Sequence, residues 1–128
     1  VTVFLFNEGE ILLLKRSEKV STYKGKWAGV SGYIEEGERP LERAVKEIRE
    51  ETGIEDPELL REGEPFEVYD EDNQRAWRVH PFLFKVSSRR VSIDWEHSEY
   101  KWIKPEDIGK YEVVPALERS LKAVVEVR

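Results

Sequence analysis

A chain of 128 residues can bury one hydrophobic core but is short for two ordinary domains, so a single domain over residues 1–128 is expected. It has no cysteine, which excludes disulfides, thiolate metal sites and a cysteine nucleophile together and leaves oxygen or histidine as metal ligands. A formal net charge of -6 argues against broad nucleic-acid or anionic-membrane binding, and a phosphate-bearing partner would need a local device such as a divalent cation.

No apolar run approaches a membrane span and no charged-then-apolar leader is evident, so a soluble, cytoplasmic protein is expected. Charged residues make up 38 % of the chain, its amides are confined to Asn7, Asn73 and Gln74, and methionine is absent, a bias that resembles heat-adapted proteins. In chain order, Val1 to Phe6 and Ile11 to Leu14 flank Asn7-Glu8-Gly9-Glu10 and predict a hairpin whose near-continuous hydrophobicity implies cover on both faces. Ser17 to Lys26 is polar and basic and reads as a surface loop. Trp27 to Ile34 then reads as a short strand running into a glycine turn.

Pro40 suits the first turn of a helix, where its missing N–H is harmless, and Gly53 suits the position just past the end, which predicts a helix over Pro40 to Thr52. Downstream, Phe66 to Tyr69 and Ala76 to Val86 read as strands joined through Glu71-Asp72-Asn73, and Tyr100 to Ile103 as another. Pro105 to Ile108 begins a helical turn. Pro115 to Val125 predicts a terminal helix with Leu117, Leu121 and Val124 or Val125 inward. The order implies a mixed α/β fold.

Within the central helix, Leu41, Ala44, Val45 and Ile48 form the predicted buried stripe. Adding roughly 100° per residue places Glu47, Glu50 and Glu51 on one flank beside it. Like charges at these spacings repel, Arg43 and Lys46 offset part of the cost, and a hard divalent cation would offset more. Taken alone, Glu47-Ile48-Arg49-Glu50-Glu51 reads as a solvated helix face in a Glu-rich chain. The preceding segment changes that balance: Gly32 and Gly37 flank a tight turn before Glu38, which lets backbone approach the carboxylates closely.

Taken as a pattern, Gly32, five residues, Glu38, seven residues and Lys46-Glu47-Ile48-Arg49-Glu50-Glu51-Thr52-Gly53-Ile54 resembles the Nudix box, GX5EX7REUXEEXGU with U aliphatic. The one departure is Lys46 in place of arginine, which keeps the charge and loses the two-pronged fork. Gly25-Lys26-Trp27 before the box and the aromatic segment ending near Trp102 agree with the same family. The resemblance implies the Nudix fold, a mixed β-sheet sandwiched between α-helices, and a Mg²⁺- or Mn²⁺-dependent pyrophosphohydrolase cleaving a nucleoside diphosphate linked to another moiety.

Carried over residue by residue, it makes Glu47, Glu50 and Glu51 the metal ligands, with the Ser31 carbonyl as a backbone ligand. Gly32, Glu38 and Lys46 support the site, and Arg16 contacts substrate phosphates. Catalysis falls to Glu47, Glu50 and a general base outside the box, with Glu96 the first candidate and Glu99 the second. His80 reads as a packed strand residue, while His97 beside Glu96 invites a closer look. Trp27, Tyr33, Tyr69 and Trp77 are candidate stacking partners for a base or other planar group. The expected partner is a small nucleotide-type substrate. The family also leaves room for a homodimer, although no segment identifies an interface. Two competing readings are a Nudix-fold module that binds a nucleotide or protein after losing catalysis, supported by Lys46 alone, and an isomerase of isoprenoid diphosphates, opposed by the lack of cysteine.

Overall fold

Strand β1 (Thr2–Asn7) turns through Glu8 and Gly9, both at positive φ, into antiparallel β2 (Glu10–Arg16). The computed structural model that carries this hairpin describes residues 1–125, and residues 126–128 of the expected domain lie outside that range. The hairpin is the centre of a mixed sheet. β8 (Pro81–Lys85) pairs with β1 in parallel, and β5 (Glu58–Glu62) pairs antiparallel with β8. On the other side β2 pairs with β3 (Trp27–Ala28) and β9 (His97–Ile103), while β4 (Val30–Ser31) pairs with β1.

Both faces of the hairpin are covered, as its unbroken hydrophobicity implied. On one face Val3, Leu5, Leu12 and Leu14 pack with Ala44 and Ile48 of helix α1 (Pro40–Thr52). On the other, Phe4, Ile11 and Leu13 pack with Leu117, Leu121 and Val124 of helix α2 (Leu117–Val124), and Ile108 of a 3-10 turn (Pro105–Lys110) joins them. Alternate strand residues face opposite ways, so a strand feeding both layers must be apolar throughout. The result is the expected sheet between helices.

Helix α1 begins and ends where its punctuation predicted. Pro40 occupies the first turn, and Gly53 closes the helix in the left-handed conformation, φ 76°, its N–H donating to the Arg49 carbonyl. The buried stripe is shifted, however. Leu41 is 38 % exposed, and the burial it was expected to provide comes from Arg43, Glu51 and Thr52 beside Ala44 and Ile48. The face turned toward the sheet is therefore partly charged, which a hydrophobic periodicity does not register.

Two other expectations are corrected. Ala76 to Val86 is not one strand: β7 (Arg75–Val79) pairs with β6 (Phe66–Asp70) in a separate two-stranded sheet, and β8 starts after a break at His80. Pro81, which lacks an N–H, stands at that break. Strand β5 was not anticipated, because all its residues are exposed and it is held at the sheet edge by backbone pairing to β8.

Candidate active site

The glycine turn and α1 meet as the spacing required. A methyl group at Gly32 would lie 2.0 Å from Glu47 Oε2, so the glycine allows the carboxylate to lie against the backbone. The Val1 nitrogen donates to the Gly32 carbonyl at 2.8 Å and ties the turn to β1. Glu38 is the hub of the supporting charges. Arg43 Nε and Nη2 donate to its two oxygens at 2.9 and 2.7 Å, Lys46 Nζ donates at 2.8 Å, and the Glu35 N–H donates at 2.8 Å. The Lys46 hydrogen bond and then the Glu35 N–H hold the Glu38 carboxyl down to about 2. Arg43 also reaches Glu47 Oε2 at 3.3 Å. The fork absent at position 46 is thus supplied one turn earlier by Arg43, and Lys46 retains the point contact.

The helix glutamates occupy three different environments. Glu50 is exposed. Glu47 is partly buried, and its carboxyl is raised first by that desolvation and then by the Glu50 charge. Glu51 is 2 % exposed; its Oε2 accepts the Ser31 N–H at 3.3 Å, and its Oε1 is a buried polar atom with no hydrogen-bond partner among the described residues. Burial, followed by the charges of Glu47 and Asp94, pushes the Glu51 carboxyl well above the usual range. The three acids thus share a helix flank but not one degree of exposure, and among the described residues no group of three Asp, Glu or His side chains is gathered closely enough to hold an ion without adjustment.

Glu47, Gly32 and Ser31 border a cleft of about 870 Å³, which Arg16, Glu96, Tyr33 and Trp77 also line. That size accommodates a nucleotide-scale ligand. Glu96 sits in the turn before β9, and its carbonyl accepts the Ser17 N–H at 2.7 Å. Glu99 does not line the cleft. It is paired with Lys15 at 3.4 Å across β2 and β9, so of the two candidate bases only Glu96 is placed on the cleft wall. The Arg16 guanidinium donates to the Thr22 carbonyl at 2.9 Å and Thr22 Oγ1 at 3.2 Å, so it shapes the loop as well as the cleft wall.

Of the aromatic candidates, Trp27 packs in the core against Tyr111, with ring centroids 5.6 Å apart, and Tyr69 stands outside the cleft. Tyr33 and Trp77 remain on its wall. Arg75 hydrogen-bonds the Tyr33 hydroxyl and lies over the Trp77 ring, joining the two. His80 lines the same wall at the strand break. Sequence reasoning did not single out Arg75, Arg78 or Lys19, which add positive charge to the cleft, or Tyr23, whose hydroxyl donates to Asp70 at 2.5 Å. Their only sequence signal was basic residues in segments otherwise read as loop and strand.

Residues 1–124 match the NUDIX domain family. The chain belongs to the Nudix family. A nucleoside triphosphatase NudI of Escherichia coli O139:H28 is 32 % identical over 126 aligned positions, which cover 91 % of this chain and 88 % of the relative. Among solved structures, a MutT protein from Methanosarcina mazei Go1 is 31 % identical with a TM-score of 0.71, over 94 % of this chain and 87 % of that one. A Caenorhabditis elegans Ap4A hydrolase binary complex shares the fold at a TM-score of 0.74 and 23 % identity, covering 95 % of this chain and 89 % of its own. As a Nudix hydrolase the protein acts on phosphoanhydride bonds, and the engaged Lys46 gives no support to a reading without catalysis.

Proposed function

We propose that this Nudix hydrolase is a Mg²⁺- or Mn²⁺-dependent pyrophosphohydrolase of nucleoside diphosphates linked to another moiety, with nucleoside triphosphates the first class to test. The observation that carries this reading is the Oε1 of buried Glu51, which accepts no hydrogen bond among the described residues although His97 Nε2 stands 3.5 Å away, set behind Ser31 at a cleft that Glu47 and Gly32 also border. An unpaired buried carboxylate oxygen is costly unless something compensates it, and an all-oxygen donor set suits a hard cation. Glu47, Glu50, Glu51 and the Ser31 carbonyl would hold such an ion. When bound, it supplies counter-charge to the phosphates and a more acidic water.

In this reading Gly32 lets Glu47 lie against the backbone, while Glu38, Arg43 and Lys46 hold the helix and its preceding loop together. Glu96, facing the cleft, would take the proton from the attacking water as its oxygen bonds to phosphorus and the bridging P–O bond breaks. Tyr33 and Trp77 would flank the planar part of the substrate, and Arg16 would meet its phosphates. The similarity to a nucleoside triphosphatase NudI favours triphosphates over dinucleotide substrates.

The test is a release assay for phosphate and pyrophosphate over nucleoside triphosphates, dinucleotide polyphosphates, nucleotide sugars and ADP-ribose, with Mg²⁺ and with Mn²⁺. Turnover of triphosphates that chelator abolishes and Glu50→Gln severely impairs is expected. Full activity of Glu50→Gln would remove that residue from the site, and turnover confined to another substrate class would replace the substrate assignment.

A further inference from the structure

The pairing of β2 with β9 contains an irregularity at the edge of the active site. Leu12, Leu14 and Arg16 of β2 oppose Trp102, Tyr100 and His97, so the register advances by one residue between Lys15 and Arg16 and Ser98 is the extra residue. Side chains alternate along a strand, and unbroken pairing would send position 97 to the α2 side with Ile103, Lys101 and Glu99. The bulge turns it to the α1 side instead. There His97 is buried, its side chain 1 % exposed, with Nε2 3.5 Å from Glu51 Oε1 and Nδ1 2.9 Å from Asp94 Oδ1. The His97 N–H donates to the Asp94 carbonyl at 3.2 Å, which closes the turn that carries Trp95 and Glu96 on the cleft wall.

We infer that His97 is a positioning residue for the reaction: one edge of its ring fixes the Glu51 carboxylate, and the other, through Asp94, fixes the turn bearing Glu96. The inference rests on the proposed metal-dependent reading. The 3.5 Å approach of Nε2 to Glu51 Oε1 is a polar contact and not a made hydrogen bond, and the ring wedged between Glu51 and Asp94 limits how far the carboxylate can rotate. Groups that hydrogen-bond metal ligands set the ligands' orientation, and losing them typically weakens metal affinity by about 10–100-fold. The two ring nitrogens divide the work, so their contributions can be separated. In His97→Asn the amide nitrogen lies near the position of Nδ1 and retains the Asp94 contact. In His97→Gln it lies near Nε2 and retains the Glu51 contact.

Mn²⁺ binding to the substrate-free protein, measured by titration calorimetry, is the decisive readout, with circular dichroism as the check on folding and kcat and KM followed alongside. His97→Asn should bind Mn²⁺ about 10–100-fold more weakly, and His97→Gln should recover most of the affinity. A residue that only fills space would lose affinity in both or in neither, and either result overturns the inference. Should His97→Asn fail to fold, Asp94→Asn, at the partly exposed end of the Glu51–His97–Asp94 series, carries the test. It should weaken Mn²⁺ binding by up to about tenfold, and wild-type affinity there overturns the inference. Glu50→Gln serves as the control. If it loses Mn²⁺ while the His97 and Asp94 variants do not, this inference alone falls. If the wild-type protein binds no Mn²⁺, the metal-dependent reading falls and takes the inference with it.

Discussion

Glu38 and Glu51 belong to one motif, yet their surroundings drive them in opposite directions. Glu38, held down to about 2 by Lys46 and the Glu35 N–H, gives stability that is present above its ordinary 4.5 and is lost as pH falls toward about 2. Glu51 and Glu47 are raised above 4.5, first by burial, so the folded state binds their protons more tightly and their ionisation costs stability as pH rises past 4.5. A bound cation relieves that second cost. Scanning calorimetry should therefore find a larger Mn²⁺-induced rise in Tm at about pH 7 than at about pH 5. Equal rises would mean that the ion does not meet these carboxylates. Gly32 offers an independent handle at the same scale. Gly32→Ala puts a methyl group 2.0 Å from the present position of Glu47 Oε2, and the displaced carboxylate should lower kcat by about 100-fold with the fold intact.

Helix α1 carries most of the site, and its limits are set locally. Gly53 holds φ 76°, while a methyl group added there would meet only Ser92 at ordinary contact distance, 3.6 Å. The penalty for Gly53→Ala is therefore backbone strain of about 1–2 kcal/mol, visible as a lower Tm in thermal denaturation. An unchanged Tm would show that the turn relaxes freely. The neighbouring strands were harder to read. In β5 every residue is exposed, so no alternation marks it. His80-Pro81 divides what reads as one strand because β7 leaves the main sheet to pair with β6. The helix limits were legible because proline and glycine act on their own backbone, whereas strand membership depends on which distant segment supplies the partner.

Across the whole molecule, a net charge of -6 repels an anionic substrate. The cleft answers locally with Arg16, Lys19, Arg75 and Arg78. Among the described residues Arg78 has a single weak ion pair, to Glu67 at 3.8 Å, and it stays largely exposed, so Arg78→Ala should raise KM roughly two- to fivefold while leaving kcat unchanged. Added salt should raise the wild-type KM in the same direction, because exposed charges are screened. A variant with lower kcat and unchanged KM would instead place Arg78 at the reacting atoms.

By itself the sequence determined the glycine turn, the length of α1, the two-sided hairpin and the identity of the acidic residues, because each depends on residues close together in the chain. Only the tertiary structure decided that Glu51 is buried, that Arg43 is the fork on Glu38, that Glu99 is turned away and that His97 reaches Glu51. Of these, the burial of Glu51 and the place of His97 follow from packing α1 against a sheet in which β9 joins β2 with a one-residue bulge. Desolvation and strand register are properties of segments meeting across the fold, and spacing along the chain does not encode them.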